Sequence, residues 1–233
     1  MARKVTTVGF DADDTLWHNE RYFQLTQAHF ADLLSDYTEK DTLMQRLVAA
    51  EKRNLGQYGF GVKGFTLSMI ETALDVTDRR VSGAVIEEIL NAGREMLAHP
   101  VDLLPHAQAA VEEASKEYRI LLITKGDLLD QERKLAQSGL GDLFDAVEIV
   151  SDKNTGVYRD IFDRYGHSAE SGVMVGNSVR SDILPMIEAG GYGVHVPYHV
   201  TWELEHAAIP VSHTRFRSLP DLRTLGSLLT GMR

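Results

Sequence analysis

The sequence contains no cysteine, which excludes disulfide bonds and thiolate metal sites. It also contains no apolar run of about 20 residues, the length that a membrane-spanning helix needs. The amino terminus is basic and apolar, but Asp11 interrupts the run before it reaches the length of a signal-peptide core. We therefore expect a cytoplasmic protein.

Positive charge is also in short supply. The 233 residues include 24 Lys and Arg against 34 Asp and Glu, a formal net charge of -10 at pH 7. This excess of negative charge disfavours unaided binding to nucleic acid or to an acidic membrane, and we predict neither partner. A small phosphorylated substrate remains compatible with it where a metal ion and a few local cations reverse the field. The oligomeric state is left open.

Five short apolar runs, rich in β-branched residues, alternate along the chain with other segments. They are predicted as strands at Val5–Phe10, Arg119–Thr124, Ala146–Ser151, Val173–Gly176 and Gly193–Val196. Between the later runs, apolar residues recur at the three- and four-residue spacing of amphipathic helices. This alternation predicts an α/β fold with a doubly wound, Rossmann-like parallel sheet. Functional groups collect at the carboxyl ends of the strands in such sheets.

One long segment departs from this alternation. Residues 18–99 show helical periodicity and no convincing strand, and Pro100 and Pro105 follow them. We predict a core of residues 1–17 and 100–233 that carries an inserted helical domain at 18–99. Within the insertion, Asn54–Gly64 is rich in glycine and aromatic residues. A flexible turn and a substrate-facing loop are both open interpretations of it.

Two acidic residues follow the first predicted strand. In an extended chain, residues two apart project to the same face at about 6.6 Å, so Asp11 and Asp13 are expected to share one side of the strand end. Two unit charges at that separation repel by roughly 2.5 kcal/mol at an effective dielectric of about 20. A bound cation or a raised pKa on one carboxyl would relieve the repulsion. A solvated turn that caps a helix is the alternative.

Polar residues also follow the other predicted strands. Thr124, Lys125 and Gly126 supply a hydroxyl, a cation and an unobstructed backbone amide, which together suit phosphate oxygens. Lys153 and Asp182 follow the next two strands. Each signal alone has an ordinary structural explanation, such as a turn, a surface lysine or a helix cap. Their recurrence at successive strand ends predicts one shared site.

In these residues the chain resembles the haloacid dehalogenase-like hydrolase superfamily. The four matching motifs are Asp11-x-Asp13-x-Thr15, Thr124, Lys153 and Gly176-Asn177-x-x-x-x-Asp182. The resemblance extends over nearly the whole chain, because a helical cap inserted after the first motif also fits residues 18–99. It implies a phosphatase-type hydrolase that uses Mg²⁺.

The resemblance implies a role for each acid. Asp11 is expected to attack phosphorus and form an aspartyl-phosphate, and Asp13 to protonate the leaving alkoxide and then deprotonate water. Mg²⁺ is expected to bind Asp11, Asp182 and the main-chain carbonyl of Asp13. Asn177, which stands where the family usually has aspartate, would accept a hydrogen bond from a metal-bound water.

The remaining predicted contacts are with the substrate. Thr124 and Lys153 are expected to hold the phosphoryl group, together with Lys125 and Gly126. Many relatives carry a small amide in place of Lys125, so its side chain either adds positive charge at the phosphate or points into solvent. In the cap, we expect contacts from three residues of the glycine-rich segment, Tyr58, Phe60 and Lys63.

We predict a magnesium-dependent phosphatase of a small phosphorylated metabolite. Dehalogenation of a 2-haloacid is an alternative, but dehalogenating members of the family generally lack the acid present here as Asp13. A phosphonatase would need a cap lysine, for which Lys52 and Lys63 are candidates. A phosphorelay receiver and a non-catalytic binding protein are rivals of a different class.

Overall fold

The computed structural model describes residues 4–232. Within this range the strands form one six-stranded sheet in the order β3-β2-β1-β4-β5-β6, and every neighbouring pair is parallel. The strands are β1 (Thr7–Phe10), β2 (Arg119–Lys125), β3 (Ala146–Val150), β4 (Gly172–Gly176), β5 (Tyr192–His195) and β6 (Phe216–Ser218).

Helices fill the intervals between the strands. The α-helices are α1 (Glu20–Leu33), α2 (Lys40–Tyr58), α3 (Val62–Val76), α4 (Gly83–Ala98), α5 (Ala107–Ser115), α6 (Leu128–Ser138), α7 (Thr155–Tyr165), α8 (Leu184–Glu188) and α9 (Leu225–Gly231). A π-helical turn at Val179–Ile183 leads into α8. Of the helices in the described range, none is both long and apolar enough to cross a bilayer.

The sheet has helices on both faces, which confirms the predicted doubly wound α/β fold. Alternate residues of the strands separate into two apolar clusters. On one face, Val8 and Ile120 pack with α5 and α9. On the other, Ile123 and Met174 pack with α7 and α8. β6 was not predicted, because it has only three residues with Arg217 at its centre.

The described chain divides into two compact units. The first, the core unit, contains the sheet and comprises the chain up to Asn19, Val101–Lys125 and the chain from Gln131 onward. The second, the helical unit, comprises Glu20–Pro100 and Gly126–Asp130.

The helical unit has its own apolar centre. Side chains from α1, α2, α3 and α4 form one buried cluster that includes Phe30, Leu47 and Met69. Most of the glycine-rich segment 54–64, predicted as a turn or loop, is helical. α2 continues to Tyr58, and α3 begins at Val62. Only Gly59–Gly61 breaks the helices, and both glycines have positive φ angles of 72° and 111°, a conformation that favours glycine.

Two glycines of the helical unit provide a matched test of packing. Gly93 is buried in α4, and a Cβ there would overlap the hydroxyl of Thr66 on α3. Gly56 lies in α2 and a Cβ there would meet no atom within 4 Å. We expect Gly93→Ala to lower the free energy of unfolding by about 1–3 kcal/mol through overpacking. Gly56→Ala should raise it by roughly 0.5–1 kcal/mol, because Ala favours helix.

Urea unfolding followed by circular dichroism measures both changes. Equal effects of the two substitutions would show that the close approach of α3 and α4 at Gly93 is wrong.

Candidate active site

The candidate site lies at the carboxyl ends of the parallel strands. β1 is flanked by β2 and β4 in the sheet, so the residues that follow these strands meet at one edge. Asp11 continues the pairing beyond β1, since its backbone N–H donates to the carbonyl of Val175 at 2.9 Å. The sheet order therefore brings the predicted motifs together from distant parts of the sequence.

A buried lysine joins two of the predicted acids. The Nζ atom of Lys153 lies 2.5 Å from Oδ1 of Asp11 and 2.7 Å from Oδ1 of Asp182. The side chains of Lys153, Asp11 and Asp182 are only 1%, 9% and 1% exposed. Such charges are stable away from water only when they are paired and hydrogen-bonded, and here each one is.

The second oxygen of Asp11 is held from within its own turn. The hydroxyl of Thr15 donates to Oδ2 of Asp11 at 3.0 Å and accepts from the backbone N–H of Asn177 at the same distance. Oδ1 of Asn177 lies 3.4 Å from that hydroxyl. The turn after β1 and the loop after β4 are thus linked through one hydroxyl group, and Asn177 lies beside Asp11.

The carboxylate of Asp182 packs against Gly176, the last residue of β4. A Cβ at Gly176 would overlap the Asp182 carboxylate, so this approach requires glycine. The backbone N–H of Ser178 donates to Oδ2 of Asp182 at 2.9 Å. The spacing from Gly176 to Asp182 therefore follows from the loop and the π-helical turn that carries the acid.

Asp13 lies beyond the end of β1, in an isolated bridge with Trp17, and is not part of the continuous strand from which its position was predicted. β1 ends at Phe10, the backbone N–H groups of Thr15 and Leu16 donate to the carbonyl of Ala12, and Asp14 has a φ of 61°. Alternation along a strand therefore does not relate Asp13 to Asp11.

The Asp13 carboxylate has three side-chain donors of its own. Oδ1 accepts from the indole N–H of Trp17 at 2.7 Å, and Oδ2 accepts from the amide of Gln131 at 2.8 Å. Nζ of Lys134 lies 3.0 and 3.1 Å from the two oxygens. The two acids of the first motif thus bind different lysines.

The predicted phosphate contacts at the end of β2 have differing surroundings. Thr124 is 1% exposed, and Gly126 has a φ of 135°. Lys125 does not point into open solvent, because its side chain is only 13% exposed. Its Nζ donates to Oε1 of Glu205 at 2.6 Å and to the hydroxyl of Ser181 at 2.8 Å.

The carboxylate of Glu205 binds Lys125 and two serine hydroxyls from the segment after β4. Its Oε2 accepts from the hydroxyls of Ser178 and Ser181, each at 2.5 Å. Burial raises the pKa of Glu205, but the charge of Lys125 and these hydrogen bonds outweigh it and hold the pKa below the ordinary value. Glu205 is therefore a carboxylate at neutral pH and balances Lys125.

The three predicted substrate contacts of the cap belong to the helical unit. Tyr58 ends α2 and is 48% exposed, and Phe60 lies in the three-residue break before α3. Lys63, in the first turn of α3, forms an ion pair with Asp127, with Nζ 2.9 Å from Oδ2.

The buried cluster around Lys153 is short of positive charge. Burial raises the pKa of Asp11 to about 7, Lys153 opposes the rise and Asp182 adds to it. Burial alone would lower the pKa of Lys153, but the charges of Asp11 and Asp182 outweigh it and raise that pKa. Two acids share one permanent cation, so a further cation would be stabilised here.

The same cluster is the candidate place for a metal ion. Among residues 4–232, no three His, Asp or Glu side chains are arranged around a common position. The carboxylates of Asp11 and Asp182 converge on a single nitrogen, however, and carboxylate oxygens suit hard divalent cations. These residues fit such a cation if main-chain and water oxygens complete its coordination.

Lys134, Gln131 and Glu205 were not found from the sequence. The first two lie three residues apart in α6, and this spacing is the signal that the sequence offers for them. Both are buried, whereas Leu128 and Leu129 of the same helix are 60% and 69% exposed. Polar residues occupy the buried face of this helix. Glu205 ends a three-residue 3-10 helix, Glu203–Glu205, which is too short to give a periodic signal in the sequence.

The charge imbalance generates a stability prediction. Asp11 has an ordinary pKa of 3.8 and a folded pKa of about 7, so the folded protein binds this proton more tightly than the unfolded chain. The ionised carboxylate therefore costs stability from about pH 4 upward, and the cost is complete above pH 7. With a chelator present, Asp11→Asn should be more stable than the wild type at pH 8, by on the order of 3 kcal/mol, and equally stable near pH 4.

Chemical unfolding across this pH range measures the difference, and the same substitution at the exposed Asp163 is the control. A difference that does not grow with pH would contradict the charge imbalance.

The chain was compared with known proteins. A family profile described as haloacid dehalogenase-like hydrolase matches residues 5–190. A glyceraldehyde 3-phosphate phosphatase from Methanothermobacter thermautotrophicus is 25% identical over 239 residues, covering 95% of this chain and 98% of that protein.

Solved structures give a consistent result. A haloacid dehalogenase-like family hydrolase from Xanthomonas campestris is 39% identical with a TM-score of 0.88, covering 98% of this chain and 91% of that one. An L-2-haloacid dehalogenase from Xanthobacter autotrophicus, with chloropropionic acid covalently bound, has a TM-score of 0.66 at 16% identity, covering 98% and 100%. The second likeness shows the fold alone. The chain belongs to the haloacid dehalogenase-like hydrolases, as its motifs predicted, and it is a hydrolase.

Proposed function

We propose that this hydrolase is a magnesium-dependent phosphatase that acts on a small phosphorylated metabolite through an aspartyl-phosphate on Asp11. The observation that carries the proposal is the buried Asp11 carboxylate, with one oxygen held by Lys153 and the other by Thr15. A relative named as a glyceraldehyde 3-phosphate phosphatase supports a small phosphate monoester as the substrate class.

Asp11 is the nucleophile in this proposal. One of its carboxylate oxygens forms a bond to phosphorus as the bond from phosphorus to the ester oxygen breaks. Lys153 binds Asp11 and would neutralise charge on the transferring oxygens. The hydroxyl of Thr124 and the backbone N–H of Gly126 would complete the cradle.

Asp13 acts in this proposal first as the general acid and then as the general base. Its carboxyl group is protonated when the substrate binds and gives that proton to the departing ester oxygen, so that the leaving group departs as an alcohol. It then takes a proton from the water that attacks the phosphoryl group on Asp11. The bond between phosphorus and Asp11 breaks, inorganic phosphate forms, and both carboxyl groups return to their starting states.

Asp11 and Asp182 would hold Mg²⁺, with the main-chain carbonyl of Asp13 as a further ligand and Asn177 accepting from a bound water. When bound, the ion reduces the repulsion between the anionic Asp11 and an anionic phosphate. The charge of the Lys153 cluster supports this assignment, since burial and the neighbouring Asp182 raise the pKa of Asp11 even with Lys153 in contact.

Asp13 favours phosphate esters over haloacids. Halide is a good leaving group and needs no proton, so a dehalogenase has no use for an acid in this position. An alkoxide does need one. Three hydrogen-bond donors fix the orientation of the Asp13 carboxyl group, which supports a positioned acid in this proposal.

The helical unit would act as the cap that selects the substrate. We propose cap boundaries at residues 18–99 and substrate contacts from Tyr58, Phe60 and Lys63. The ion pair of Lys63 with Asp127 would have to open for the lysine to bind an anionic leaving group. Lys125, which is balanced by Glu205, would act on the phosphate as part of that pair.

Activity assays test the reaction class. With Mg²⁺, the wild type should release phosphate from 4-nitrophenyl phosphate and from members of a panel of phosphorylated metabolites. A chelator should abolish the release. Asp11→Asn should lower kcat about 10³-fold or more by removing the nucleophile, whereas Asp163→Asn should not.

The competing chemistry is assayed with the same protein. Release of chloride from 2-chloropropionate, or full phosphatase activity of Asp11→Asn, would overturn the proposal.

Asn177 generates a prediction about metal affinity. An aspartate at this position adds negative charge beside Asp11 and Asp182, and we expect Asn177→Asp to lower the Mg²⁺ activation constant roughly 3- to 10-fold. The matched control is Asn91→Asp on α4, which adds the same charge in the helical unit and should leave the constant unchanged. An activation constant unaffected by Asn177→Asp would refute the assigned position of Asn177.

A further inference from the structure

The carboxylate of Asp13 is held by a helix that none of the sequence motifs includes. Gln131 and Lys134 both project from α6, and both donate to Asp13. They are 3% and 9% exposed. Residues three apart on a helix lie on the same face, so this arrangement is a property of the helix rather than of one mobile side chain.

Lys134 makes the more demanding contact. Its Nζ reaches both oxygens of Asp13 and also donates to Oδ1 of Asn19 at 2.8 Å. A long lysine side chain loses considerable conformational entropy when it is fixed in this way. Its buried ammonium, 11% exposed at the side chain, faces a carboxylate that is 22% exposed.

Trp17 is the third donor to Asp13, and we call Trp17, Gln131 and Lys134 together the Asp13 clamp. Its indole N–H donates to Asp13 at 2.7 Å, and its own side chain is buried in the core. Donors from a buried tryptophan and from two residues of one helix give each oxygen of Asp13 two hydrogen bonds. These contacts fix the orientation of the carboxyl group, which is what proton transfer to a positioned substrate requires.

We propose that Lys134, assisted by Gln131, is a positioning residue that fixes the carboxyl group of Asp13 for proton exchange with the leaving group. The inference rests on the proposed function, in which Asp13 protonates the ester oxygen. Lys134 itself exchanges no proton with the substrate and acts through Asp13.

The test follows from leaving-group chemistry. An alkyl phosphate releases a strongly basic alkoxide and depends on the acid, whereas 4-nitrophenyl phosphate releases a weakly basic phenoxide and depends on it little. Since kcat/KM reports the steps up to the first bond cleavage, it separates this effect from later hydrolysis of the aspartyl-phosphate.

Lys134→Met keeps a long apolar side chain and removes the donor. The alkyl substrate is glycerol 3-phosphate or another alkyl phosphate that the wild type hydrolyses. With Mg²⁺ present, we expect its kcat/KM to fall about 10- to 100-fold. The value for 4-nitrophenyl phosphate should fall less than about 3-fold. Gln131→Leu, which removes one donor, should show the same selectivity with a smaller loss and serves if Lys134→Met does not fold.

Arg133→Met is the matched control. It removes a cation from the neighbouring position of α6, where Arg133 donates to Gln137 on the exposed surface, and it should change neither kcat/KM value. Asp13→Asn is the reference variant and should show the largest selective loss.

The outcomes separate the two proposals. Asp13→Asn is expected to lower kcat/KM selectively for the alkyl phosphate. If it does so, but Lys134→Met and Gln131→Leu lower kcat/KM equally for both substrates or for neither, the positioning role is overturned. If Asp13→Asn itself shows no selectivity, the acid assignment in the proposed function fails, and this inference fails with it.

Discussion

The ammonium of Lys153 between Asp11 and Asp182 is the interaction on which the site depends. Its three participants follow β1, β3 and β4, and both acids lie within 2.7 Å of one nitrogen. Unpaired charges at this depth would cost several kcal/mol each, so the loops can adopt this arrangement only together. Gly176 permits it, because any side chain there would occupy the space of the Asp182 carboxylate.

The two acids of the first motif have contrasting electrostatic surroundings. Burial raises the pKa of Asp11 to about 7, and Asp11 shares the ammonium of Lys153 with Asp182. Asp13 is more exposed and has Lys134 against both oxygens. Environments that differ in this way allow neighbouring carboxylates to take different chemical roles. Here the difference arises because the chain turns at Asp14, so that the two side chains reach different helices and loops.

The sequence predicts the features that depend on periodicity and on strand ends. Five strands, the parallel α/β class and the approach of Asp182 to Asp11 follow from apolar runs and from the rule that such strands end at one edge. It does not predict β6, which lacks an apolar run, or the clamp from α6, whose buried positions are polar. β1 ends at Phe10, so strand alternation would need three further strand residues to reach Asp13.

Glu205 ties the end of β2 to the segment after β4 through Lys125, Ser178 and Ser181. A buried lysine without this carboxylate would carry an unbalanced charge, and a buried carboxylate without the lysine would carry the opposite one. The two positions are therefore expected to covary. Relatives with a small amide in place of Lys125 should have no acid in place of Glu205, and their carboxyl-terminal segments should be free to differ in length and course.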